Sequence, residues 1–207
     1  MQLEKVVVPG TSLRHKQLNC KNGRIKMSRI NVLNHKDATT EQADLFASIQ
    51  ASLGVVPNFL KVFANSPAAL RAFLGLHGIA NEGSLAPKTR ERIALALAEQ
   101  NECQYCVSAH TAIGRKAGLD NSEMQANRVG SSQDEKAAVA VSFALALLEH
   151  KGEVTNAELQ TVRDAGYSES DIVEIITHVG MNLLTNIIGK ASRADIDFPK
   201  VELNKAA

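Results

Sequence analysis

The chain has 207 residues, enough for one domain with a proper buried core, or two small ones at most. Hydrophobic residues are 44% and charged residues 22%, and the formal net charge is +1, so nothing in the balance calls for nucleic acid or an anionic membrane as partner. Three cysteines, two of them in a C-x-x-C, argue against a secreted disulfide scaffold and for a cytosolic redox or metal motif.

Charge is unevenly placed. Residues 1–26 hold Lys5, Arg14, Lys16, Lys21, Arg24 and Lys26 against Glu4 alone, a net of +5, which leaves −4 for the remainder. This opening stretch has no sustained apolar run, so it is not a secretory signal. Being basic and poor in acids, it could serve as a transit peptide; the reading taken is an unstructured extension ahead of Met27, with residues 27–207 as a single helical domain. The longest apolar stretch, Ala137 to Leu148, is interrupted by Ser142 and is too short to cross a bilayer. A cytoplasmic protein is the expectation.

From Asp37 onward the chain is punctuated like a helix bundle. Pro57, Pro67 and Pro87 stand where a first helical turn begins, and Ser66 is a natural N-cap before Pro67. Gly83, Gly118, Gly152 and Gly166 each follow an apolar-periodic run, as helix-ending glycines do. Thr155-Asn156-Ala157-Glu158 is a capping box, and Ser168-Glu169-Ser170-Asp171 is a looser one. These signals predict helices near 40–52, 57–65, 67–82, 87–100, 103–117, 121–128, 132–150, 155–165 and 169–190, rich in the good helix formers Ala, Leu, Glu, Lys and Gln. Only Val6-Val7-Val8 is β-branched enough for a strand. The predicted class is all-α.

The chemistry concentrates in Cys103-Gln104-Tyr105-Cys106-Val107-Ser108-Ala109-His110. At about 100° per residue, Cys103, Cys106 and His110 fall within an arc of about 60° on one helix face, and Tyr105 points to the opposite side. The helix begins at or just before Cys103, after the polar break Gln100-Asn101-Glu102, so the positive end of its dipole favours thiolate over thiol. His110, four residues beyond Cys106, can take that thiol's proton or hold its anion. Cys103 is placed to attack the Cys106 sulfur and close a disulfide. In one unbroken helix Glu91 would lie about 18 Å from Cys103. A chain reversal near Asn101 instead draws Glu91 level with His110, where a carboxylate can orient the imidazole.

Glu91, eleven residues, Cys103-x-x-Cys106, three residues and His110 together resemble the signature of the alkylhydroperoxidase AhpD-like branch of the carboxymuconolactone decarboxylase family. The resemblance runs from about Met27 to Glu202 and includes Leu53-Gly54-Val55-Val56-Pro57-Asn58-Phe59 and Asp197-Phe198-Pro199. It implies an AhpD-like helical bundle of eight or nine helices that assembles as homo-trimers or hexamers. It also implies a peroxidase that reduces hydrogen peroxide or organic hydroperoxides through a Cys103–Cys106 disulfide cycle, restored by a dithiol reductant. Cys106 would be the peroxidatic thiol, Cys103 the resolving one, and Glu91 with His110 the proton relay, with no cofactor or metal. Tyr105 stands where the best-known members carry a second His. True decarboxylases of the wider family generally lack the C-x-x-C.

Other readings of the same residues remain. A general thiol-disulfide oxidoreductase or a non-catalytic redox sensor would also use the pair. Zinc could take Cys103, Cys106, His110 and His178, although structural zinc usually draws its C-x-x-C from a turn. Two buried cysteines could simply pack. Glu91 between Arg90 and Arg92 could be a solvated carboxylate at a helix start. His178, Asn182 and Asn186 recur every fourth residue, either lining the reactive pocket or hydrogen-bonding across helices in an oligomer; the second is the reading taken. His15, His35, His77 and His150 show no spacing that points to a site, and Cys20 reads as an incidental thiol.

Overall fold

The computed structural model describes residues 28–204; the extension expected at 1–26 lies outside them. Among the described residues there are nine α-helices, one short 3-10 turn (His35–Asp37) and no strand. The fold is all-α, as predicted.

Local chemistry sets most boundaries. Helix α1 (Thr40–Leu53) starts in a capping box between Thr39 and Gln42 and stops at Gly54, whose φ of 77° is left-handed. Helix α2 (Asn58–Phe63) is shorter than predicted because Pro57 is its N-cap and not its first turn. Helix α3 (Pro67–Ala80) is capped by the Ser66 side chain. It ends before Gly83, which does not close it as expected. That glycine makes room for Glu174: a Cβ there would sit 2.5 Å from the Glu174 carboxylate, which accepts from Ser84 N and Leu85 N, each at 2.9 Å.

Helices α4 (Pro87–Gln100), α5 (Gln104–Lys116) and α6 (Asn121–Arg128) follow with tight connections. Helix α7 (Glu135–Glu149) begins later than predicted because Asp134 caps it, while Ser132 and Gln133 turn away to hydrogen-bond Glu123. Helices α8 (Asn156–Asp164) and α9 (Glu169–Ser192) both open in the capping boxes read from the sequence.

Helix α4 is the axis of the bundle. Every residue from Arg92 to Ala98 is buried, the mark of a helix enclosed on all sides, and α5, α6, α7 and α9 pack around it. One core joins Ile93 and Leu97 to Val141, Phe143 and Leu147 of α7 and Ile175 of α9. A second joins Phe46, Ile49, Leu60, Phe63, Leu70 and Phe73. Each such fully buried side chain contributes roughly 1.5–3 kcal/mol of hydrophobic stabilisation. Helix α9 is long and apolar enough to cross a membrane, with a mean hydropathy of 1.4. One face of it packs on α3, α4, α5 and α7 and buries His178, Asn182 and Asn186 inside the bundle.

Candidate active site

The reversal expected near Asn101 is present. Glu102 takes a left-handed φ of 52°, and Cys103 N bonds Ala98 O at 2.9 Å while Glu102 N bonds Glu99 O at 2.8 Å. This Schellman-type closure sends α5 back along α4. Cys103 becomes the N-cap of α5, its sulfur accepting from Cys106 N at 3.4 Å. Both sulfurs therefore lie at the positive end of a helix, where thiolate is favoured. Cys103 and Cys106 are joined in a disulfide with Cα atoms 5.2 Å apart, and the two residues are 1% and 5% exposed.

Nineteen residues apart in sequence, Glu91 and His110 meet across the α4–α5 contact. His110 Nδ1 lies 2.9 Å from Glu91 Oε2, with side chains 20% and 16% exposed. The carboxylate fixes the ring and leaves Nε2 for other work. The four residues thus form two pairs on adjacent helices: Glu91 of α4 with His110 of α5, and Cys103 with Cys106 at the start of α5.

The other side of α5 is held by residues 194–204, which form a strap. Tyr105 Oη donates to Asp197 Oδ1 at 2.6 Å and accepts from Phe59 N at 3.2 Å, with Phe198 edge-on to its ring. Burial, then the Asp197 carboxylate, push the Tyr105 hydroxyl above its usual range. Tyr105 is an anchor on the back of the redox helix, as its position 200° round predicted. Val201 N adds a bond to Ser108 Oγ at 3.0 Å, and Gln104 reaches Glu202 Oε2 at 2.6 Å.

Helix α9 forms the wall beside the sulfurs. A Cβ at Gly189 would meet Cys103 Sγ at 2.9 Å and Cys106 Sγ at 3.5 Å, so the disulfide rests directly on the helix backbone. Thr185 O faces Cys106 Sγ at 3.8 Å. The next residue, Asn186, accepts from Asn101 Nδ2 at 2.8 Å. His178, Asn182 and Asn186 are buried within the single chain, which overturns the reading that they reach across an oligomer. Burial, then the nearby Arg90 charge, lower the His178 pKa against opposing effects of the Ala80 carbonyl, Glu174 and Glu91. Among the described residues no three His, Cys, Asp or Glu side chains are grouped as metal ligands.

Two site residues escaped sequence reasoning. Gly189 carried no signal beyond being a glycine inside a helix, itself a costly placement that asks for a packing reason. His77 at the end of α3 comes within electrostatic reach of the relay: crowding around its ring, then the His110 charge, lower its pKa, opposed by Glu91. The link is physical as well, because Asn81 contacts the His77 ring at 3.1 Å and its carbonyl accepts from Arg90, next to Glu91, at 2.6 Å.

Residues 67–150 match the family model described as the carboxymuconolactone decarboxylase family. Over this stretch, which is less than half of the chain, the sequence is similar to that family. The match includes Glu91, both helix cysteines and His110. No curated protein sequence matches the chain. Among solved structures, a peroxidase-related protein from Silicibacter sp. TM1040 is 27% identical over 84% of this chain and 95% of that one, with a TM-score of 0.72. An AhpD-core peroxidase-related protein from Ralstonia eutropha JMP134 is 24% identical over 83% and 93%, with a TM-score of 0.74. The debrominase Bmp8 in complex with 2,3,4-tribromopyrrole is 19% identical over 83% and 93%, with a TM-score of 0.70. The last two share the fold, and the fold alone does not select a chemistry.

Proposed function

We propose that this chain is a carboxymuconolactone decarboxylase family protein that acts as a thiol-dependent peroxidase, reducing hydrogen peroxide or organic hydroperoxides, with an antioxidant role. The observation that carries this reading is the Glu91–His110 contact at 2.9 Å on the helix pair that also bears Cys106. His110, oriented by Glu91, takes the Cys106 proton. The thiolate attacks the terminal oxygen of the hydroperoxide; an S–O bond forms, the O–O bond breaks, and the departing alkoxide takes the proton from His110. Cys103 then attacks the sulfenic sulfur, the disulfide closes, and the oxygen leaves as water with the Cys103 proton. A dithiol reductant restores both thiols by exchange. The partners are a hydroperoxide, that dithiol and further copies of the chain.

Steady-state peroxide consumption with several dithiols as donor tests the reading. Turnover that disappears in Cys106→Ser supports it. A folded, reduced wild-type protein that consumes no peroxide with any donor would remove it.

A second reading, general thiol-disulfide exchange, is favoured by one feature: Cys103 holds the N-cap position with its sulfur on Cys106 N–H, where exchange enzymes keep the attacking thiol. Its near-complete burial weighs the other way. Reduction of glutathione disulfide or insulin in the absence of peroxide turnover would select it.

A further inference from the structure

The wall of the site contains an amide the peroxide cycle has not used. Asn186 is 1% exposed. Its Oδ1 is occupied by Asn101 Nδ2 at 2.8 Å, which fixes the amide plane. Its Nδ2 is buried and has no hydrogen-bond partner within the protein. An orphaned buried N–H group is rare in a native fold and costs about as much as a lost hydrogen bond.

Its position gives it a use. The preceding residue, Thr185, presents its carbonyl to Cys106 Sγ at 3.8 Å. Three residues further on, the backbone of Gly189 carries both sulfurs, with a Cβ there 2.9 Å from Cys103 Sγ and 3.5 Å from Cys106 Sγ. The helical turn from Thr185 to Gly189 is therefore the floor under the disulfide, and Asn186 is the amide built into it. In the disulfide neither sulfur is charged, and each accepts hydrogen bonds weakly. Reduction adds two electrons and two protons, and loss of one proton then leaves a thiolate, which needs a donor in a nearly dry pocket. The Thr185 carbonyl can only accept, so it favours the protonated thiol. Freed from Cys103, the Cys106 sulfur can turn about its Cα–Cβ bond.

We propose that Asn186 is a sulfur-binding residue whose Nδ2 donates to the Cys106 thiolate once the Cys103–Cys106 bond is reduced. The unpaired donor of the oxidised form is then the paired donor of the reduced form, and Asn101 is the positioning residue that aims it. The inference deepens the peroxidase reading, in that it rests on Cys103 and Cys106 cycling between dithiol and disulfide. It does not require peroxide to be the oxidant.

The test is the pH dependence of iodoacetamide alkylation of Cys106 in the reduced full-length protein, followed by peptide mass spectrometry. Asn186→Leu removes the amide without adding charge. Asn186→Asp keeps an acceptor for Asn101 Nδ2 but has no donor when ionised. In both variants the alkylation midpoint should rise by about one pH unit, so that the rate below the midpoint falls about tenfold. Asn186→Leu should also lower the melting temperature of the reduced form more than that of the oxidised form, which a merely structural amide would not do. An unchanged midpoint in either folded variant, or equal melting losses in the two redox states, overturns the proposal. A raised midpoint in a protein that consumes no peroxide would retire the peroxidase reading and leave this assignment standing.

Discussion

His110 Nδ1 and Glu91 Oε2 lie 2.9 Å apart because the chain reverses at Glu102, between them in the sequence. A carboxylate held on one imidazole nitrogen orients the other toward a reacting group.

Each relay residue should therefore have a graded effect on the proposed peroxide turnover. Cys106→Ser should abolish it, and His110→Ala should lower it by roughly 10²–10⁴, as loss of a general base does. Glu91→Gln should cost less, since it keeps the shape of the side chain and removes only the orienting charge. Steady-state rates of the three variants with one dithiol donor check the order. Wild-type turnover in Glu91→Gln would return Glu91 to a solvated helix-start carboxylate.

Gly189 should tolerate no side chain while the disulfide is closed. A methyl group placed 2.9 Å from Cys103 Sγ must push either the sulfur or α9 aside. Gly189→Ala should cost the oxidised protein about 1–3 kcal/mol, the usual cost of overpacking. The reduced protein should lose less, since a free thiol can rotate away. Denaturant melts of both redox forms measure the difference; equal losses would place the strain elsewhere.

Acid should unfold the protein through Glu123. Burial by itself would raise its pKa, but hydrogen bonds from Ser132, Asn127, Gln133 N and Arg92 more than reverse this and hold it at about 2. Its pKa is thus depressed below the unfolded value of 4.5. The resulting stabilisation is complete above about pH 4.5 and is lost as pH falls toward 2. Glu123→Ala should cost about 3 kcal/mol at pH 7, because it removes the buried partner of the Arg92 guanidinium and leaves it only Asp134 at 3.5 Å. It should also flatten the acid limb of a plot of melting temperature against pH, and an unchanged acid limb would point to other carboxylates.

Helix α9 leaves Val173, Ile176, Leu183, Leu184 and Ile187 exposed, an apolar face of the kind that marks association. Self-association through this face is the expected outcome in solution. Ile187→Glu should weaken it by about 2 kcal/mol or more, roughly thirtyfold in dissociation constant. Sedimentation at micromolar concentration checks both statements. A monomeric wild type, or a variant that associates equally well, would move the interface elsewhere.

Much of this was legible in the residues because the signals are local. Ser66, Thr155 and Ser168 cap the helices they were expected to cap, and the spacing of Cys103, Cys106 and His110 translates directly into one face. The Glu91–His110 meeting needed only one further premise, a reversal at Asn101. What stayed hidden depends on partners distant in sequence. Gly83 looked like a helix terminator and proved to be a seat for Glu174, 91 residues away, because close approach and left-handed backbone both select glycine. His77 pairs on its own helix with Phe73, an aromatic contact that gives no hint of the relay, and the Asn81–Arg90 link that ties it toward Glu91 joins separate helices. The polar stripe on α9 was visible, but the direction it faces is fixed by packing against α4, which periodicity alone does not report.

The strap and the α9 wall also impose an order on biosynthesis. The ribosome delivers Cys103 and Cys106 well before it delivers Gly189, Asp197 and Val201. During that interval the pair has neither its floor nor the clasp on Tyr105, and its sulfurs are open to any thiol or oxidant nearby. A nascent chain stalled before α9 should therefore react with bulky thiol reagents at sites the finished protein shields, and its cysteines become guarded only when the last segment docks.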